Sequence, residues 1–422
     1  MERTRHERLV ALRRALHRRP EPAWREYWTT SRIVDEIERV GVDEVLVGPE
    51  LLAADARMAV PDGEPLQQWH DRAREAGARE DVLEQCGGGF TGALATVERG
   101  DGPTVALRVD IDALPITEST AETHTPAEAG FRSGNDGYMH ACGHDAHAAI
   151  GIGVLEAVVE SDFSGTFKLL FQPAEEVIGG GKAVAESGVL DDVNHLLALH
   201  VGLDHPTGEV VAGVNGFLAV RQFEATFRGE SAHAGAHPAA GRDAVQALAT
   251  AVRNLHAIRR HADGATRVNA GVVSGGTATN IVPESATIEG EVRGETTELM
   301  EYMGDRADSV VEHAAGMHGC ESELTTVAEA PSAESDADLA DVVYAVAEGV
   351  DGVDSVLHSA PLGGSEDATY LMDRVQEHGG QASYVGIGTD HPGGHHTPTF
   401  DVDERSLDIG VDVLAGAIGQ LW

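Results

Sequence analysis

The feature that most constrains this chain is a series of short apolar runs that each break off into residues able to do chemistry. The run 104–111 leads into Asp110 and Asp112, and the run 165–171 leads into Gln172-Pro173-Ala174-Glu175-Glu176. The run 195–201 carries His200 near its end. Runs of this length, bounded by turn residues, read as buried strands. A small-residue-rich stretch, 143–160, reads as a helix between the first two. Strands alternating with helices predict an α/β fold, a mostly parallel sheet covered by helices on both faces. In such sheets ligands sit at the carboxyl ends of the strands.

The order of elements changes near residue 216. Strand, helix, strand, strand and helix are expected at 223–228, 240–260, 268–274, 286–293 and 297–316. That order resembles a small two-layer α+β module of the ferredoxin-like kind. A helix over 336–349, a strand over 382–387 and a last helix over 403–420 complete the first sheet. One module is therefore expected inside another: 1–215 with 329–422 as one domain, and 216–328 as the insert. The length, 422 residues, is too great for one small core and agrees with two domains. Helices are also predicted over 5–18, 27–40 and 64–76.

Lys+Arg is 30 against 70 for Asp+Glu, a formal charge of −40. That balance excludes nucleic acid and an anionic membrane as expected partners. Lys168 and Lys182 are the two lysines, so the remaining cations are arginine. Acid-rich and lysine-poor composition predicts a halophilic protein, because at about 1 M salt the Debye length is roughly 3 Å and the charge repels itself little. No apolar run is long enough to span a bilayer. The charged start of the chain lacks an apolar signal core, and three scattered cysteines make no disulfide framework, so the cytoplasm is expected.

Five clusters carry candidate chemistry. Met139-His140-Ala141-Cys142-Gly143-His144-Asp145-Ala146-His147 offers a thiolate and imidazoles on a loop opening a helix, a donor set suited to zinc or a similar ion. Glu175 and Glu176 follow a strand; in extended backbone they point opposite ways, one toward a metal and one toward substrate as a general base. His200 ends a strand, and Gly393-Gly394-His395-His396-Thr397-Pro398 follows another. Asp110 and Asp112 share a face and can orient ligand imidazoles. Together they suffice for two metals sharing a bridge plus a free base, the equipment of a metal-dependent hydrolase.

Leu107-Arg108-Val109-Asp110-Ile111-Asp112-Ala113-Leu114-Pro115-Ile116, then His140 to Asp145, then Pro173-Ala174-Glu175-Glu176, resemble the co-catalytic metallopeptidase superfamily of aminoacylase and carboxypeptidase G. The cysteine-containing signature is similar to its hippurate and auxin-conjugate hydrolase branch. The resemblance implies two divalent ions, Mn2+ or Zn2+, with Cys142 as the bridge and His144, Glu176, His200 and His396 as the other ligands. It implies Glu175 as the general base and Asp112 behind a ligand histidine. His396 is preferred to His395 because it directly precedes Thr397-Pro398, and that choice stays open. The inserted module resembles the family's lid and dimerisation domain. There His233 is expected to stabilise the oxyanion, Asn280 to bind substrate and Arg293 to grip the substrate carboxylate.

Arg57-Met58-Ala59-Val60-Pro61, Gly87-Gly88-Gly89-Phe90-Thr91-Gly92, Gly363-Gly364-Ser365-Glu366-Asp367-Ala368 and Gln381-Ala382-Ser383-Tyr384-Val385 resemble a sub-branch, the A-type subunits of p-aminobenzoyl-glutamate hydrolase. The expected reaction is amide hydrolysis of an N-acyl or N-aroyl amino acid, here to p-aminobenzoate and glutamate. A homodimer is expected, and a further partner in the form of a B-type subunit. The alternatives are a broader hippurate-type N-acyl-amino-acid amidohydrolase, and a non-catalytic metal-bound partner subunit.

Overall fold

The computed structural model describes residues 4–422. Its strands are β1 (Glu44–Leu46), β2 (Ala93–Arg99), β3 (Thr104–Asp110), β4 (Gly165–Gln172), β5 (His195–Val201), β6 (Glu209–Asn215), β7 (Ala219–Arg228), β8 (Thr266–Gly275), β9 (Ser285–Gly294), β10 (Glu321–Ala330), β11 (Ser355–Pro361) and β12 (Gln381–Ile387). The chain divides into two compact units. The second is Phe217–Ser332 with Gly363–Glu366; the first is the rest of the described residues.

The first unit is built on an eight-stranded sheet ordered β1-β2-β4-β3-β5-β12-β6-β11. Its four central strands, β4, β3, β5 and β12, run parallel. The flanking pairs β2–β4 and β12–β6 are antiparallel. β3 is buried along its whole length, as an apolar strand covered on both faces must be. Helix His144–Glu160 is buried through most of its length. It packs on β3 and against helices Arg5–His17 and Arg405–Ile418, which accounts for its alanines and glycines.

The second unit has the order β7, helix Ala244–His256, β8, β9, helix Thr297–Met317, β10. Its sheet runs β10-β7-β9-β8, antiparallel throughout, which is the ferredoxin-like arrangement. Asp243 caps the first helix by accepting from the N–H groups of Val245 and Gln246, and Thr296 caps the second through Leu299. The closing strand β10 extends the unit beyond the three strands and two helices expected from the sequence. No helix among the described residues is long and apolar enough to cross a membrane.

Phe171, at the end of β4, is fully buried in the main core. Phe171→Ala is expected to cost about 3–5 kcal/mol of stability, read as an earlier transition in urea unfolding followed by circular dichroism.

Candidate metal and catalytic site

Because β3, β4, β5 and β12 are parallel, the segments that leave their carboxyl ends gather at one end of the sheet. β3 ends at Asp110 with Asp112 just beyond, and β4 leads to Glu175 and Glu176. β5 supplies His200, and β12 leads to the loop holding His395 and His396. Cys142 and His144 arrive from the loop before helix His144–Glu160. Gly143 makes that approach possible: its φ is +88°, and a Cβ there would stand 2.5 Å from Val201 Cγ2.

The donor atoms converge. Cys142 Sγ lies 3.4 Å from His200 Nε2. His144 Nε2 lies 3.8 Å from Glu176 Oε1 and 3.9 Å from Glu175 Oε2. His396 Nε2 lies 3.5 Å from Glu176 Oε2. Ligand atoms of Cys142, His144 and His200 lie within 4.8 Å of one another, and so do those of Cys142, Glu176 and His396. Glu175 and Glu176 do not point opposite ways. They occupy a turn rather than extended backbone, so strand alternation does not apply, and both reach the same imidazole.

The hydrogen bonds fix the ring tautomers. His200 Nδ1 donates to the Val201 carbonyl at 2.7 Å, which leaves Nε2 with a lone pair facing the thiol. His144 Nδ1 donates to Asp112 at 3.3 Å; its Nε2 is buried with no hydrogen-bond partner. Asp112 also accepts from the Glu176 backbone N–H at 3.0 Å. One carboxylate thus sets both an imidazole and the neighbouring turn. His395 sits 3.6 Å from Cys142 Sγ through Nδ1, while its Nε2 accepts from Leu203 N–H at 3.1 Å. His395 is therefore a donor to the sulfur, and His396 is the histidine that groups with Cys142 and Glu176.

The electrostatics call for a cation. Burial disfavours a charged His144, but Asp110, Asp112 and Glu176 outweigh it and push the ring up to about 10. Burial, with His147 and His395 nearby, holds His200 well below the usual histidine range. Burial and the neighbouring histidines hold His395 down to about 3. A negatively surrounded nitrogen without a partner, neutral imidazoles and a thiol are the donor chemistry of a divalent-metal site.

A second cluster behind the site was not legible as a unit. Arg13, buried on helix Arg5–His17, pairs with Asp145 at 2.8 Å and with Asp401. His17, one turn on, places its two nitrogens 2.8 Å from Asp145 and 3.0 Å from Glu118. Asp145 follows His144, and Asp401 closes the loop of His395 and His396. The available signal was Arg13 and His17 at i, i+4 spacing on the face that also buries Leu9, Leu12 and Leu16.

In the second unit, His233 and Asn280 are neighbours: Ala234 N–H donates to the Asn280 carbonyl at 2.9 Å. His233 Nδ1 accepts from Gly235 and Ala236 at 3.1 and 3.0 Å, so its exposed ring carries the proton on Nε2. Arg293 is held by Glu291 through two hydrogen bonds of 2.9 and 3.0 Å.

Fold and site together define a metal-dependent hydrolase of amide bonds. The chain belongs to the peptidase family M20/M25/M40, whose model matches residues 106–420. It is 43% identical over 408 residues to the indole-3-acetyl-aspartic acid hydrolase of Enterobacter agglomerans, covering 96% of this chain and 93% of that one. It is 42% identical over 408 residues to the A-type subunit of p-aminobenzoyl-glutamate hydrolase from Escherichia coli, again covering 96% and 93%. Its fold matches that of a dinuclear metal-binding M20 peptidase of Bacillus subtilis, with TM-score 0.71, 27% identity and 99% and 98% of the two chains covered.

Arg13→Met is expected to destabilise the chain by about 3–5 kcal/mol at pH 7, because Asp145 and Asp401 stay buried without their cation. Burial disfavours an ionised Asp145, but Arg13 and His17 hold its carboxyl far below the usual range. The stability it contributes is present above an unfolded pKa of about 4 and lost as pH falls through the native one. Thermal melts of the two proteins are expected to differ most near neutrality and to approach each other below about pH 4.

Proposed function

We propose that this chain hydrolyses the amide bond of N-acyl or N-aroyl amino acids in the cytoplasm, with p-aminobenzoyl-glutamate as its substrate. The observation that carries the reading is the convergence of Cys142, His144, Glu176, His200 and His396 around facing donor atoms, with Glu175 beside them. These five residues would hold two divalent ions, Mn2+ or Zn2+, Cys142 lying within reach of both groups. Such ions polarise a carbonyl and acidify water.

The chain's own residues supply the rest. Glu175 takes the proton of the attacking water on a carboxylate oxygen and returns it to the leaving nitrogen. Asp112 fixes His144 through Nδ1, which leaves Nε2 as the nitrogen that would serve a bound ion. His395 donates to the Cys142 sulfur. In the second unit, the Nε2–H of His233 is the donor for the oxyanion, Asn280 binds substrate beside it, and Arg293 receives the substrate's α-carboxylate in exchange for Glu291.

The similarity to a protein named as one of the subunits of a hydrolase supports a B-type partner chain, and the second unit is proposed as the homodimer contact. The acid-rich, lysine-poor composition supports function in concentrated salt.

The test is release of p-aminobenzoate from p-aminobenzoyl-glutamate by the purified chain in molar KCl with manganese or zinc. Hippuryl and acetyl amino acids run alongside. Chelator-sensitive release is the expected result, with more activity in molar KCl than in dilute buffer. Cleavage of hippuryl amides alone would discard the substrate and keep the chemistry. No cleavage of any amide would point to a non-catalytic partner chain instead. Glu175→Gln is expected to retain bound metal, measured by elemental analysis, while kcat falls about 10²–10⁴-fold.

A further inference from the structure

Arg57 is a cation that the proposed reaction does not use. Its carbon Cζ lies 3.6 Å from the centre of the Phe90 ring and 5.4 Å from that of Trp24. One hydrogen bond, from Nη1 to the Gly88 carbonyl at 2.9 Å, holds it. Its Nε is buried with no hydrogen-bond partner. Among the described residues no carboxylate lies within ion-pair distance of it, in a chain with 70 of them. Burial pulls it below the usual arginine range, and Tyr27 is the one neighbouring group that opposes this.

Its place is beside the glutamate turn. Met58 N–H donates to the Gly179 carbonyl, and Gly179 N–H donates to Ala174, the residue before Glu175. Gly179 is needed for this approach, because a Cβ there would stand 2.7 Å from the Met58 carbonyl oxygen and 3.0 Å from Trp24 Nε1. From the other side, Thr91, next to Phe90, donates to Glu26, whose other oxygen accepts from Ala174 N–H at 2.9 Å. Two hydrogen-bonded routes thus tie the guanidinium and its aromatic seat to the backbone that aims Glu175. An arginine held over a ring face keeps its stem fixed and can present its outer N–H groups to a carboxylate.

We infer that Arg57, seated on Phe90 and Trp24, is the subsite for the side-chain carboxylate of the substrate's amino acid, so that the site selects N-acyl conjugates of glutamate and aspartate over neutral ones. The inference deepens the proposed function and rests on it. It assigns the second carboxylate of an acidic amino acid, a group for which Arg293 is not needed. The two relatives above 40% identity are named for an acyl-aspartate and an acyl-glutamate.

The test compares p-aminobenzoyl-glutamate with p-aminobenzoyl-glutamine, which differ only in that side-chain charge, using the metal-loaded chain in molar KCl. The wild-type kcat/KM is expected to favour the glutamate conjugate by about 100-fold, the scale of a charge-assisted hydrogen-bonded pair. Arg57→Met, which keeps the stem over Phe90, is expected to bring the ratio near one, mainly through KM of the glutamate conjugate. Arg57→Lys, which keeps the charge without the fork, is expected to retain part of the preference. A wild-type ratio near one, or equal losses on both substrates in both variants, would overturn the inference: Arg57 would then only pin the 57–60 segment to Gly88. Failure of the wild type on every acyl amino acid would instead remove the proposed function, and this subsite with it.

Discussion

Asp110 is the group on which the site depends. It ends β3 as a fully buried carboxylate. It accepts from Arg108 at 2.8 Å and from His147 Nδ1, and it lies 3.5 Å from His144 Nε2. Burial alone would neutralise it; His144, His147 and Arg108 hold it ionised instead. Its bond to His147 leaves His147 Nε2 to accept from Val201 N–H at 2.8 Å, and the Val201 carbonyl takes His200 Nδ1–H. A single buried charge at the end of one strand therefore sets two imidazoles and the end of the next. Arg108 extends the same net sideways to Gln172 and Asp367, and Asp367 accepts from the N–H groups of Gly180 and Gly181 beyond the glutamate turn.

The backbone around this net is strained. Trp24, Ala59, Ala174, Ile178, Leu203, Asp204 and His396 have positive φ without being glycine. Each costs on the order of 1 kcal/mol or more, and a β-branched residue such as Ile178 more than most. Most are tied to the site or its rim. Ala174 and Ile178 bracket Glu175 and Glu176, Leu203 holds His395, Trp24 is part of the seat of Arg57, and Ala59 lies two residues beyond that arginine. The strain persists because hydrogen bonds over-determine it: Ile178 N–H to Glu175, Gly179 N–H to Ala174 and His396 N–H to Ala141. The strained backbone turns both glutamates toward one imidazole, which an unstrained strand could not do.

That turn is also where the sequence stops being legible. The central strands were readable because burial on both faces leaves an unbroken apolar run. Strand ends were readable as chemistry because Asp110, the two glutamates and His200 stand where those runs stop, and Cys142 and His144 because they crowd together on the loop that opens a helix. β10 and β11 were not readable, since their exposed faces put polar residues on both phases of the alternation. Nor was the shared direction of Glu175 and Glu176, because period two holds only inside a strand and the positive φ of Ala174 ends that period. The partners of Arg13 and His17 lie more than 100 residues away at Glu118, Asp145 and Asp401, and no local pattern encodes a pairing at that separation.

Surface charge bears on recognition in a way that the site alone does not show. Many exposed arginines are closed by carboxylates: Arg79 by Glu38 and Asp81, Arg74 by Asp71 and Glu80, Arg405 by Asp403. Such pairs contribute little stability individually, and arginines closed in this way do little to draw an anion inward. In dilute buffer a net charge of −40 opposes the approach of a dicarboxylate. At molar salt the field decays within about 3 Å, so distant acids cease to matter and only groups in contact are felt. Recognition of an anionic substrate by so acidic a chain therefore has to rest on desolvated, contact-range donors. An arginine kept clear of carboxylates and packed on aromatic rings keeps its strength under those conditions, whereas a solvent-exposed lysine would not.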